Sequence, residues 1–164
     1  MASPQDLQQL LAIEAIKQLK ARYFLYMDTK QWEAWRNLFT EDLRTDGTLV
    51  ADKSRDFFVD GVRDHLEGVR SCHQGHMPVI EITGPDAARG IWAMYDDLRF
   101  PENHPWSGKY TRRIGYGHYE EEYRRVGGEW KISFMRLARL YVWSEPDQGA
   151  EVLGGTPSTS DRWL

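Results

Sequence analysis

From Ser71 to Trp143 the chain keeps returning to a period of two, and no other feature limits the possible folds as strongly. The segments HMPVIEI, AARGIWAMYDDLRF, KYTRRIGYGHYEEEYRRV and EWKISFMRLARLYVW alternate as strands do, because successive side chains on a strand leave opposite faces. TGPDA and GGE supply tight turns within the first and last pairs, while PENHPWSG is a looser connection of the kind that works as a flap. Upstream the period lengthens. From Asp6 to about Asp28, the residues Leu10, Ile13, Ile16, Leu19, Tyr23, Phe24 and Met27 fall on one half of a helical wheel, with Ser3 and Pro4 as a start signal. QWEAWRNLF reads as a second short helix, TEDLRTDGTL turns extended, and DGVRDHLEGVR reads as a further helix opened by Asp60. Helices followed by a run of strands predict an α+β fold, with the helices packed on one face of a curved, largely antiparallel sheet. Residues 1–144 are expected to form this domain. Residues 145–164 have loop composition and are expected to drape over a neighbour or remain mobile.

Composition narrows the function. The chain has 164 residues, a net charge of −4 and a pI near 5.7, so nothing in it attracts a phosphate backbone, and nucleic acid is not expected as a partner. Seven tryptophans are more ring surface than a core of this size needs, which points to a ring-lined pocket, an interface, or both. Cys72 is the only cysteine, so neither an intrachain disulfide nor a thiolate zinc cage is available. The amino terminus has no basic start followed by an apolar run, and no segment is apolar for the ~20 residues that span a bilayer. The expectation is a cytoplasmic protein without a membrane partner.

The stretch SCHQGHMPVIEI carries two histidines three positions apart. On a regular strand His76 shares a face with Ile80 and Ile82, and His73 shares the other with Glu81 and Thr83. The two then cannot hold one metal together, and His76 is the one expected inside. A buried imidazole needs a partner. Asp28 lies on the edge of the long helix's apolar half, an unusual place for a carboxylate, and is the candidate. Such a pair fixes the tautomer and raises the histidine pKa, making the other nitrogen a base near neutrality. The alternatives are a capping role for Asp28 and a backbone carbonyl partner for His76.

The segments RYFLYMDTKQWEAWRNLFTED, HQGHMPVIEI, ARGIWAMYDD, GYGHYEEEYRRVGGEWKIS and LARLYVW together resemble the SnoaL-like branch of the nuclear-transport-factor-2-like superfamily. The resemblance implies a cone-shaped, strongly curved sheet whose central pocket is closed by the opening helices. It also implies a cofactor-independent lyase, either a dehydratase-type elimination or a retro-aldol cleavage, acting on a bulky hydroxylated cyclic or aromatic molecule. Cyclases, isomerases and non-catalytic binding modules of the same fold are the alternatives. By similarity to bile-acid 7α-dehydratase and hexachlorocyclohexane dehydrochlorinase, Asp28 and His76 would form the catalytic dyad, Tyr23 would bond the departing or developing oxygen, and Arg139 would stabilise negative charge. Arg124 or Arg125 would replace Arg139 if the dehydrochlorinase arrangement held.

Trp92 and Asp96 share one strand face and are candidates for binding substrate, as are Tyr116 and His118 on the next strand. The opposite face there carries Gly115, Gly117, Tyr119 and Tyr123, where glycine suits a bend or a close approach. His65 and His104 read as surface or loop residues. His73, His76 and His118 do not converge, so no metal site is expected, and neither a phosphate loop nor a dinucleotide fingerprint is present. Large apolar groups on both faces of ISFMRLARLYVW predict a homodimer or homotrimer.

Overall fold

The computed structural model describes residues 3–46, 54–105 and 111–145. Its elements run α1 (Pro4–Asp28), α2 (Trp32–Arg36), β1 (Phe39–Asp46), α3 (Arg55–Leu66), β2 (Arg70–Gly84), β3 (Ala87–Arg99), β4 (Arg112–Val126) and β5 (Glu129–Glu145). The five strands form one sheet in the order β1-β5-β4-β3-β2. Neighbours are antiparallel except β1, which runs parallel to β5. The sheet is mixed and does not close, and with the amino-terminal helices on one face it makes the α+β cone that the sequence predicts. The tail lies outside the described residues except for Glu145, and so do residues 106–108 at the end of the PENHPWSG connection. No helix among the described residues is long and apolar enough to cross a membrane.

The first helix begins where the sequence says it should. Ser3 accepts from the Asp6 amide while Asp6 accepts from the Ser3 amide, a capping box with Pro4 in the first turn. It ends just as definitely. Lys30 takes a left-handed φ of 60°, and the Gln31 amide reaches back to the Tyr26 carbonyl. That is a Schellman-type stop. The buried stripe is Ile16, Leu19, Lys20, Tyr23 and Met27, while Leu10 in the early turns is exposed. The third helix starts at Ser54, whose hydroxyl accepts from the Phe57 amide, and not at Asp60.

Two irregularities decide which side chains face the helices. Between β2 and β3 the pairing runs His76 with Ala93 and then Val79 with Ile91, three steps on one strand against two on the other. One extra residue is therefore inserted, and Met77 absorbs it at φ 34° with its side chain outside. Before this bulge Ser71, His73 and Gly75 face inward; after it Ile80 and Ile82 do. A bulge switches the face of everything beyond it. On β5 the partners run Tyr116 with Tyr141 and then Gly117 with Arg139, so Leu140 is extra. Arg139 consequently faces inward with Leu137, whereas Tyr141 turns out; an unbroken period of two would put all three on one face.

Candidate active site

The end of α1 delivers Asp28 to the start of β2, and three donors converge on its carboxylate. The Ser71 hydroxyl donates to Oδ1 at 2.8 Å and the His73 amide to Oδ2 at 2.8 Å. The His73 ring places Nδ1 2.6 Å from Oδ1. Lys30, positioned by the helix stop, donates to the Ser71 oxygen at 2.8 Å. Burial pushes the Asp28 carboxyl up, but the bonds from the His73 ring, the His73 amide and Ser71 outweigh it, so the group is held below its ordinary value. The carboxylate stays ionised and fixes Nδ1–H on the imidazole, which directs Nε2 away from the helix. That nitrogen has no hydrogen bond among the described residues, and only 7% of the His73 side chain is exposed.

The expected Asp28–His76 pair is therefore not formed. A regular period of two, carried back from Ile80 and Ile82, passes through the bulge, and the inserted residue puts His76 on the outer, exposed face instead. His73 takes its place. Tyr116 and His118 are likewise on the outer face, Tyr116 stacked on Tyr141 at 4.6 Å. The glycine face of β4, with Tyr119 and Tyr123, is the one that lines the interior. Arg124 and Arg125 are exposed. Arg124 pairs with Asp42, and Arg125 donates to the Gly128 carbonyl.

Two of the other inner candidates meet, Asp96 and Arg139. Asp96 is the cross-strand partner of His73, and Gly115 is the next residue across. Arg139 reaches over from β5 to donate to Asp96 Oδ2 at 2.6 Å. Gly115 makes this possible, because a Cβ there would collide with the Arg139 guanidinium and the Asp96 carboxylate. Asp96 has 2% of its side chain exposed and Arg139 26%, so the arginine keeps an accessible edge. Burial pulls the Arg139 pKa down, and the adjacent Asp96 more than reverses this. Tyr23, one turn before Met27 on the buried stripe of α1, is fully enclosed. Burial, then Tyr119 and Glu121, push its phenol well above the ordinary range, so it keeps its proton, which it gives to the Met135 sulfur at 3.5 Å. Trp92 also faces inward, but its indole N–H is already given to the Tyr123 hydroxyl at 2.8 Å.

Two groups at this end are not expected from the sequence. His104 is buried, and the His65 ring lies 6.3 Å from it and 5.8 Å from Phe100. Burial first, then His104, Arg113 and Arg139, lower the His65 pKa to about 4. The signal that marks His65 is its helical spacing from Phe58 and Val62.

Comparison with known proteins bears on the family and the fold. The SnoaL-like domain family matches residues 8–136. A probable cyclase, FGR4, from Gibberella zeae is 23% identical over 143 residues, covering 79% of this chain and 92% of the relative. Among solved structures, a putative scytalone dehydratase from Novosphingobium aromaticivorans superposes with a TM-score of 0.72 at 19% identity, covering 91% of this chain and 97% of that one. A type 2 hexachlorocyclohexane dehydrochlorinase gives a TM-score of 0.72 at 20% identity over 85% of this chain and 92% of its own. At such identities the structural likenesses establish the fold.

Proposed function

This chain belongs to the SnoaL-like domain family of the nuclear-transport-factor-2-like superfamily, and from that premise we propose a cofactor-independent lyase that eliminates water from a bulky hydroxylated cyclic or aromatic molecule. The observation that carries the reading is Asp28 gripping Nδ1 of an enclosed His73 whose Nε2 has no hydrogen bond among the described residues. His73 Nε2 takes a proton from carbon, and Asp28 stabilises the resulting imidazolium. Arg139, steadied by Asp96, and Tyr23 receive the oxygen on which negative charge accumulates. As the carbon–oxygen bond breaks, the electron pair leaves with the hydroxyl group. The imidazolium returns its proton to that group, and water departs. Donors already aimed in a water-poor site need no reorganisation during the reaction, which is what makes them effective.

Simple surrogate substrates suffice for the test. A panel of cyclic β-hydroxy ketones is incubated with the protein in heavy water, and both deuterium uptake at carbon and loss of water are followed by mass spectrometry. His73→Ala should fold normally and lower both by about a hundred- to ten-thousand-fold. His76→Ala should change neither. Equal deuterium uptake by the parent protein and His73→Ala removes the imidazole from the mechanism.

The likeness to a probable cyclase favours a second reading, in which the same base acts on an acidic carbon and no group leaves. Unchanged product mass distinguishes it from elimination. The outer sheet face, with Leu140, Tyr141 and Tyr116 exposed, is assigned to contact between copies in a dimer or trimer. A sedimentation profile holding only a 19.2 kDa species contradicts that assignment.

A further inference from the structure

Deeper than the proposed catalytic groups lies a second ion pair that they do not use. Lys20 is completely buried, and its ammonium donates to Glu121 Oε1 at 2.5 Å. The same nitrogen stands 3.8 Å from the centre of the Tyr23 ring, 3.7 Å from that of Tyr119 and 4.8 Å from that of Phe24. Lys20 and Tyr23 are one helical turn apart on α1, Tyr119 and Glu121 share a face of β4, and so two rungs join helix to strand. The upper rung is the edge-on contact of Tyr23 with Tyr119, with ring centroids 5.8 Å apart at 72°. The lower rung is Lys20 with Glu121. Glu121 is itself fixed by the Tyr123 hydroxyl, which donates to Oε2 at 2.5 Å and accepts from the Trp92 indole.

A buried lysine is expensive to keep charged, and a buried pair is seldom retained for stability alone. Here the cation faces the negative surfaces of two phenol rings, a contact that fixes the ring planes as well as holding the ammonium. We propose that Lys20, clamped by Glu121, is a positioning residue that aims the Tyr23 and Tyr119 hydroxyls and sets a positive charge behind the oxygen they bind. The inference rests on the reading above, in which Tyr23 receives an oxygen that becomes negative. Tyr119 belongs to the same device because the ammonium stands over its ring as it does over that of Tyr23, and the two rings touch.

The probe is para-nitrophenol, whose anion absorbs visible light while its neutral form does not, so the charge state of the bound molecule is read directly. The parent protein should bind the anion in preference to the neutral form. Tyr23→Phe should weaken that preference, and Glu121→Gln, which keeps the cation and removes the opposing charge, should strengthen it. Lys20→Met/Glu121→Gln should lose on the order of ten-fold in anion binding relative to Glu121→Gln, the scale of a desolvated cation–ring contact. A purely structural pair would move the unfolding midpoints of these variants and leave the spectra alone, and that result overturns the inference. If the parent protein shows no anion preference and Tyr23→Phe changes nothing, the oxygen-binding reading fails together with it. If those two behave as expected but the Lys20 and Glu121 variants do not, only the Lys20 inference falls. Should the double variant not fold, Glu121→Gln decides alone, and an unaltered anion preference refutes the proposal.

Discussion

Two rows of side chains cross the inner face of the sheet, and each contains one carboxylate and one cation. The row nearer the end of α1 runs from His73 through Asp96 and Gly115 to Arg139. The deeper row runs from Ile80 through Gly90 to Glu121, where Lys20 descends from the helix. Arg139 is 26% exposed, whereas Lys20 and Glu121 are both sealed at 0%. A cation with an open edge can exchange water for a ligand. A sealed one cannot, and acts only through the field it casts and the rings it fixes. On this contrast, the proposed chemistry belongs to the first row, and the second sets its background.

The largest effect should come from removing one charge of the sealed row. Lys20→Met leaves Glu121 buried without its counter-ion and should destabilise the protein by about 3–5 kcal/mol in urea unfolding. Lys20→Met/Glu121→Gln should recover most of that loss, because replacing both partners removes the uncompensated charge. If the double variant is no more stable than the single, the pair is not what the deeper row depends on.

Acid should act on the open end instead. His65 is held neutral, its pKa lowered from 6.5 to about 4, so the unfolded chain binds a proton there that the folded chain refuses. The stability this group contributes is complete above the unfolded value and declines as pH falls from about 6.5 towards 4. The loss is at most about 3 kcal/mol, reduced by solvent screening at a residue that is only partly buried. His65→Gln should flatten this limb of a plot of unfolding midpoint against pH. An unaltered slope places the titration elsewhere.

A smaller effect separates packing from charge within the open row. Gly115→Ala pushes a methyl group into the Asp96–Arg139 pair. Overpacking of this kind costs about 1–3 kcal/mol, and the displaced guanidinium should lower turnover more than the stability loss explains. A variant with normal turnover and reduced stability would show that Arg139 need not be held where it is.

Much of this is legible in the sequence, and the rest is hidden for identifiable reasons. Alternation along β3 is unbroken, so the inward placement of Trp92 and Asp96 reads directly. Asp28 at the edge of an apolar stripe announces a buried partner. The identity of that partner is hidden, because period two runs through an insertion that no glycine marks: the bulge falls on Met77. Leu140 hides the second insertion in the same way, and it misplaces Tyr141 relative to Arg139. Lys20 is visible but easily passed over as a solvated charge. A lysine four residues after Ile16 and three before Tyr23 sits in the middle of the buried stripe, and such a residue must be paired across the core.

The bulge itself is the joint between the two rows on β2, and it offers the smallest prediction. Met77 is 93% exposed and holds a φ of 34°, so its side chain contributes little packing while its Cβ strains the backbone. Left-handed conformation costs an L residue roughly 1–2 kcal/mol, and glycine would relieve it at an entropic cost of roughly 0.5–1 kcal/mol in the unfolded chain. Met77→Gly should therefore be neutral to stabilising, by up to about 1 kcal/mol in urea unfolding, with the His73 proton chemistry intact. A destabilised Met77→Gly would mean that the methionine side chain holds the bulge in place. Deleting Met77 is the stricter version: it removes the extra residue, and a regular strand would turn either His73 or the pair Ile80 and Ile82 outward. Heavy-water exchange distinguishes the two, because loss of activity in a folded deletion variant means His73 is the side that gave way.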